Sequence, residues 1–390
     1  MMKIIKKLIG EKYSMKLVFA SDSFKGSLTS MDTIEFLTQS AKEVFGKVEC
    51  VGIPVADGGE GTVEALSRAT GGSKIFSEVH GPLGDIIKAF YGKLDDKRAV
   101  IEMASASGLT LIPKEKRNPL YTSTLGTGEL IKDALDKGFR EIYIAIGGSV
   151  TNDGGMGCGR ALGIRFLNID GKELEGCGAD LERVAKIDVS GLDTRIRDTK
   201  ITFLCDVKNP LCGVNGATYT FSAQKGADKE MQDRLEKGMC NYRDVIRRQF
   251  SIDPDGIAGS GAAGGLGTML KVFLNSDLKS GIDAVLDIVD FDSLILGADL
   301  IVTGEGCTDW QSSFGKVVCG VGERGKKAGI PVVDLCGSLG NGYEEVYKHG
   351  ITSVITTVNA PMSLEDAMIN AKELYYKAAV RLFRLYKATP

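Results

Sequence analysis

The sequence predicts an α/β fold of two domains: a parallel α/β unit built from both ends of the chain, with an α+β domain inserted between them. Three observations predict it. Both ends alternate short apolar runs with helical periods, the grammar of β-α-β units. The middle sets two apolar runs side by side with no helix between them. The 390 residues suffice for two or three hydrophobic cores. The joins are expected near residues 80 and 288, so that residues 1–80 with 289–390 form one discontinuous domain and 81–288 the other.

The elements follow in order. Lys3, Lys6, Lys7, Glu11 and Lys12 break any apolar region of signal-peptide length, and Met15, directly before KLVFA, is the expected natural start. KLVFA reads as a buried strand, and Ile34, Leu37, Ala41, Val44 and Phe45 recur at helical spacing. VGIPV is the next strand, and Thr62 opens a short helix that stops at Gly71 and Gly72. In the middle, IIKAFYGKL and AVIEMA are neighbouring strands, ELIKDALDKG a helix, EIYIAI a strand, and 228–250 and 261–275 helices. ADLIVTG, a helix over 315–328, PVVDLCG and ITSVITTV restore the parallel pattern, and the Ser363/Asp366 capping pair opens the last helix.

Composition narrows the function. With 43% hydrophobic and 25% charged residues the chain is an ordinary globular one, and its net charge of -3 offers nucleic acid or anionic lipid no general attraction. No run reaches the 18 or so apolar residues of a spanning helix. Nine cysteines without a CxxC pair read as reduced thiols of a cytoplasmic protein. The two histidines, His80 and His349, read as structural, which argues against an imidazole zinc site or a Ser/His/Asp triad.

Glycine is the outlier, 50 of 390 residues. Four glycine-rich segments, at 56–62, 147–157, 259–267 and 303–309, follow apolar strands or open helices, where bare N–H groups converge on phosphate oxygens. Three carry carboxylates: Asp57 and Glu60, Asp153, and Glu305 and Asp309. A carboxylate beside a phosphate repels it unless a cation lies between, so the combination points to Mg²⁺ with a nucleotide. GSGAAGGLG at 259–267 matches GxGxxG without a clear preceding strand or an acidic partner, and reads equally as close helix packing. Gly315-Lys316 lacks the rest of a Walker A motif, and neither DFG nor HRD occurs, which excludes P-loop enzymes and protein kinases. DSFKGS sets Asp22, Ser23, Lys25 and Ser27 just beyond the first strand, at the edge where open α/β sheets bind ligands. Asp206 ends the strand ITFLC, placed to accept a hydroxyl proton, hold a metal or cap the turn. In GTGEL, Thr127 or Gly128 reads as a helix entry with a structural Glu129 in the first turn.

DSFKGS, PVADGGEGT, GPLG, IEMASASGL, RNPL, TSTLGTGEL, IGGSVTND, DVKNPL, QKGA, GAAGGLG and TGEG, in this order over residues 15–385, resemble the bacterial glycerate kinase family. The resemblance implies a two-domain fold with the second domain inserted into a Rossmann-like one. It also implies ATP-dependent, Mg²⁺-requiring phosphorylation of D-glycerate to 2-phosphoglycerate. Ser21, Ser222-Ala223 and Cys307-Thr308 depart from the pattern, the last pair standing where an arginine and an apolar residue are usual.

Two unit charges about 4 Å apart repel by roughly 4 kcal/mol at an effective dielectric near 20, so joining glycerate to ATP needs cations. On this reading Lys25 offsets the substrate carboxylate or the transferred phosphoryl, and Mg²⁺ is held by some of Asp57, Asp153 and Asp206. Asp206, ahead of Asp57, orients the 2-hydroxyl. Asp22, Ser23, Gly58 and Glu60 are expected around the substrate. Gly147, Gly148, Ser149, Thr151, Asn152, Glu305 and Lys316 are expected around the nucleotide. A related hydroxy-acid kinase and a non-catalytic sugar-acid sensor are the alternatives. A monomer or homodimer is expected, with neither nucleic acid nor membrane as partner.

Overall fold

The structure, a computed structural model, describes residues 15–59, 61–313 and 315–388. The N-terminal segment ahead of Met15 and the expected substrate contact Glu60 lie outside the described residues. Two compact units divide the chain, Met1–Asp57 with Ile282–Pro390 and Gly58–Gly281.

The discontinuous unit holds a five-stranded parallel sheet in the order Ser353–Thr356, Val332–Cys336, Leu300–Thr303, Lys16–Phe19, Glu49–Gly52. Two of its three inner strands read LVF and LIVT without polar alternation because helices cover both faces, and Leu17, Val18, Phe19, Ile301 and Val302 are wholly buried. The Ser30–Phe45 helix starts at a capping box, Thr29 Oγ1 accepting from the Asp32 N–H and Asp32 Oδ2 from the Thr29 N–H. It buries Leu37, Ala41 and Val44 with Tyr375, Ala378, Leu382 and Phe383 of the Ala371–Ala388 helix. Burying a large apolar side chain stabilises by roughly 1.5–3 kcal/mol, so this seam is a main anchor of the sheet face. The expected last helix is two, Leu364–Ile369 and Ala371–Ala388, with Ser363 capping the first as its pairing with Asp366 predicts.

The continuous unit holds a six-stranded mixed sheet in the order Asp277–Lys279, Lys200–Leu204, Glu141–Ala145, Arg98–Glu102, Ile86–Lys93, Ser73–His80. The first four are parallel; Ile86–Lys93 pairs antiparallel with Arg98–Glu102, with Gly92 opposite Val100, and Ser73–His80 pairs antiparallel with Ile86–Lys93. The strand Ser73–His80, which the sequence reading left out, pairs along all eight residues with Ile86–Lys93. The Thr62–Thr70 helix packs on the same sheet, its Val63 N–H donating to buried Glu102 Oε1 at 2.6 Å. These contacts draw residues 58–80 into this unit, so the first join falls at 57/58 rather than 80/81. The second falls at 281/282 rather than 288/289, because Ile282 of the Gly281–Ile288 helix packs so closely on Gly320 that a Cβ there would lie 2.6 Å from its Cγ1.

Two helix readings change. The expected entry at Thr127 or Gly128 lies inside the helix Leu125–Asp136, where Gly128 lets helices touch: an added Cβ would stand 2.4 Å from the Cys158 carbonyl. Glu129 instead clamps His80, accepting from its N–H and meeting Nδ1, each at 2.7 Å. The helix expected over 261–275 is broken. Ala263, Gly264 and Gly265 have positive φ, and a Cβ on Gly264 would meet the Thr151 carbonyl at 2.1 Å. The glycines of 259–267 therefore serve close backbone packing, the structural reading of that segment.

Candidate active site

In the discontinuous unit, loops leaving the carboxyl ends of the parallel strands enclose a cavity of about 820 Å³. This is the edge at which open α/β sheets take ligands. Asp22 follows the first strand, and its N–H donates to the Gly304 carbonyl, tying it to the end of the neighbouring one. DSFKGSL then folds into a tight turn. Phe24 and Leu28 exchange backbone hydrogen bonds, Gly26 takes φ +82°, and the Phe24 ring is buried edge-on to Tyr375 at 5.3 Å. That anchor leaves Lys25 exposed at the tip.

Asp22, Asp57 and Glu305 line the cavity together, with Lys25, Ser23, Asp309 and Lys316. The Asp22 carboxyl is pushed up to about 6, first by burial and then by the charges of Asp57 and Glu305; the Ser23 N–H, 2.7 Å from Oδ1, and Lys25 pull the other way. Burial also raises Glu305, against the Ser312 hydroxyl and Lys316, whose Nζ stands 3.5 Å from Oε2. Glu305 Oε1 is buried and has no hydrogen-bond partner among the described residues. Asp22, with the charges of Asp57 and Glu305 acting on it and an orphaned Glu305 oxygen nearby, shares the cavity wall with oxygen donors of the type a hard divalent cation such as Mg²⁺ selects, although the oxygens of the three carboxyl groups do not all lie within 4.8 Å of one another. Leu339, Val358, Met362, Ala367 and Met368 form an apolar stretch of the remaining wall. Sequence reading missed it, since these residues carry no chemistry and come from three separate segments.

Behind this site Asp334 sits within the strand Val332–Cys336, its Oδ2 accepting from Thr308 Oγ1 at 2.8 Å. Burial, then Glu305, pushes it up to about 8, so it is held protonated at neutral pH. Its place inside an apolar strand gave no signal of this.

The other expected residues belong to the continuous unit. Gly58, Gly147 and Asp206 lie where the ends of parallel strands meet. A Cβ on Gly58 would fall 2.8 Å from Gly281 Cα, one on Gly147 would fall 3.2 Å from Gly59 Cα, and Asp206 Oδ1 accepts the Gly281 N–H at 3.1 Å. Asp206 is exposed, as are Gly147 and Gly148, the latter at φ +74°.

Three of the expected residues lie inside the core. Asp153 is wholly buried. Its Oδ2 accepts from the Thr124 N–H, Thr124 Oγ1 and the Gly157 N–H, and its Oδ1 from the Gly155 N–H, so both oxygens are engaged in bracing its own loop. Thr151 and Asn152 are also wholly buried; Asn152 Nδ2 donates to Thr218 Oγ1, while Thr151 Oγ1 and Asn152 Oδ1 have no hydrogen-bond partner among the described residues. What holds the loop is a residue that sequence reading gave no role, Lys225. Only 1% exposed, it donates to Ser149 Oγ at 2.8 Å and the Thr151 carbonyl at 2.7 Å. Burial pushes its amine down to about 7, against the charge of Asp153. The one available signal was QKGA within the ordered motifs.

Among the described residues no helix is long and apolar enough to cross a membrane. The profile of the glycerate kinase family matches residues 17–387. "Glycerate kinase" of Bacillus subtilis (strain 168) is 46% identical over 94% of this chain and 96% of its own length. "Glycerate 2-kinase" of Escherichia coli (strain K12) is 43% identical over 94% of this chain and 96% of its own. A solved structure from Salmonella typhimurium LT2, provisionally assigned as glycerate kinase 2, superposes with a TM-score of 0.87 at 42% identity, covering 96% of this chain and 99% of that one. With its parallel sheets and acidic cavity, and with relatedness running along nearly its whole length, the chain belongs to the glycerate kinase family.

Proposed function

We propose that the protein is a cytoplasmic kinase that phosphorylates D-glycerate with ATP, at the 2-hydroxyl, to give 2-phosphoglycerate. The observation that carries the reading is the gathering of Asp22, Asp57 and Glu305 with Lys25 and Lys316 around one cavity. Its volume lies within the roughly 300–1,000 Å³ of small-molecule sites. An acid of seven heavy atoms leaves most of it empty, which favours the nucleotide as the main occupant. The apolar wall of Leu339, Val358, Met362 and Met368 suits a base, and the charged end suits its phosphates.

Asp22, Asp57 and Glu305 are the residues assigned to hold Mg²⁺, in place of the expected set that included Asp153. Mg²⁺ supplies neutralisation of the phosphate oxygens when bound. Lys25, fixed by the Phe24 anchor yet exposed, lies against the transferred phosphoryl or the glycerate carboxylate and offsets their repulsion. Lys316 balances Glu305 until the nucleotide enters. Gly147 and Gly148 offer backbone N–H groups to an anion, and Lys225 keeps that turn in shape from below. Asp206, exposed at its strand end, accepts the proton of the 2-hydroxyl.

A phosphorus NMR spectrum of the product from ATP, Mg²⁺ and D-glycerate tests activity, acceptor and position at once. A phosphomonoester resonance coupled to the C2 proton is expected. Coupling to the C3 protons overturns the position, and no ester overturns the reading. Comparing kcat/KM over tartronate and longer aldonic acids separates glycerate from related acceptors.

A further inference from the structure

The loop that follows Asp206 is pinned to the Lys229–Phe250 helix by two thiols and a carboxylate. Cys212 and Glu236 are 6% and 8% exposed; Cys240 is partly exposed, one helical turn beyond Glu236 on the same face. One donor atom from each lies within 4.8 Å of the others. Glu236 Oε1 accepts the Gly213 N–H at 2.6 Å and faces Cys240 Sγ at 3.7 Å. Its Oε2 is buried with no hydrogen-bond partner among the described residues. An uncompensated carboxylate oxygen in such a place is costly, and a cation beside it removes the cost.

We propose that Cys212, Glu236 and Cys240 form a binding site for one thiophilic divalent cation of the zinc class. Two sulfurs and an oxygen are the donors that borderline-soft ions select over Mg²⁺. A tetrahedral ion with Zn–S bonds of about 2.3 Å sets its sulfurs about 3.8 Å apart, so the three donors need close by no more than about 1 Å. Both thiols give up their protons on binding, two per ion, and water takes the fourth position. Burial raises both free thiols, and the release of two protons per ion makes uptake stronger as pH rises. The charges around the site are Arg243, paired with Asp244 and Asp255, and Asp255 itself, whose Oδ1 accepts the Cys212 N–H at 2.9 Å. Arg243, shared with Asp244 and Asp255, offsets only part of the negative charge that two thiolates and a carboxylate leave around a divalent ion. Bound, the ion clamps residues 211–213 to the helix, in the same connection that carries Asp206.

The test is titration of the full-length, thiol-reduced protein with Cd²⁺ in excess Mg²⁺. Thiolate-to-metal charge-transfer absorption and proton release are followed together. One Cd²⁺ per chain and two protons per ion are expected, with Zn²⁺ displacing Cd²⁺ and shielding Cys240, but not exposed Cys307, from alkylation read by mass spectrometry. Cys240→Ser should weaken binding at least tenfold, while Cys307→Ser leaves it unchanged. Glu236→Gln keeps both thiols and guards against a misfolded cysteine variant; it should weaken Cd²⁺ by about tenfold while retaining the absorption band. Unchanged affinity in both Cys240→Ser and Glu236→Gln overturns the site, as does alkylation of Cys240 at the same rate with and without Zn²⁺.

Discussion

Residues 147–157 and 303–309 read alike, each a glycine-rich turn with a carboxylate after a buried parallel strand. They end in opposite roles. Asp153 of the first spends both oxygens on four hydrogen bonds from Thr124, Gly155 and Gly157. Glu305 of the second keeps a buried oxygen without a partner and faces a cavity with Asp22 and Asp57. The same letters make a brace when the acid bends back to its own backbone, and a ligand site when it does not. Burial alone does not separate them, for both carboxyl groups are pushed upward by it.

Breaking the brace should give the largest effect. Asp153→Ala removes the acceptor for four donors in a dry interior, and hydrogen bonds to a charged group are worth about 1.5–3 kcal/mol each. Allowing for relaxation, a loss on the order of 3–5 kcal/mol in unfolding free energy is expected. Urea denaturation checks it; a loss under about 1 kcal/mol means the brace carries nothing. Lys25→Ala, on the cavity side, should leave the denaturation midpoint in place and lower kcat/KM by about 10² or more. Near-normal turnover in that variant removes Lys25 from the chemistry.

A third variant probes what holds the brace from outside. Lys225→Met keeps the volume but leaves Ser149 Oγ and the Thr151 carbonyl without their donor, and about a tenfold loss in kcat/KM is expected as the Gly147–Gly148 turn loosens. Its pH signature is separable. The folded amine titrates near 7 against 10.5 for the ordinary group, so the unfolded chain binds the extra proton between those values and wild-type stability rises with pH across that window. Lys225→Met lacks this rise. Equal stability slopes for wild type and variant between pH 7 and 9 would show that Lys225 is charged and solvated in the fold.

These contrasts also mark what was legible in the sequence. Strand and helix order came through, because LVF and LIV are apolar runs, VVDLC is interrupted only by Asp334, and Leu37, Ala41 and Val44 keep a helical period. The strand Ser73–His80 did not, since Phe76, exposed yet apolar, stands next to Ile75 and breaks the apolar–polar alternation of the letters, and missing it moved the first join. The cavity acids were found because each ends a strand. Asp153 could not be told from them, because its partners Thr124 and Gly157 lie on a distant segment and in its own loop. Lys225 and Asp334 were hidden for a related reason: a polar residue inside a core declares itself only through neighbours that folding brings to it.

The smallest effect lies at Asp22, where the cavity's own repulsion can be read as stability. Its folded carboxyl titrates near 6 against 3.8 for the ordinary group, so the fold binds the proton more tightly and loses stability as pH rises through that interval. Asp22→Asn stays neutral throughout and keeps an oxygen for the Ser23 N–H. The variant should therefore melt with wild type near pH 4 and about 1–3 °C above it at pH 7.5. Mg²⁺ should close that gap by raising the wild-type midpoint alone, since only the charged cavity gains from it. A gap of the same size at both pH values would mean that Asp22 is raised neither by burial nor by Asp57 and Glu305. The cavity would then be a brace like the loop around Asp153 rather than a seat for a cation.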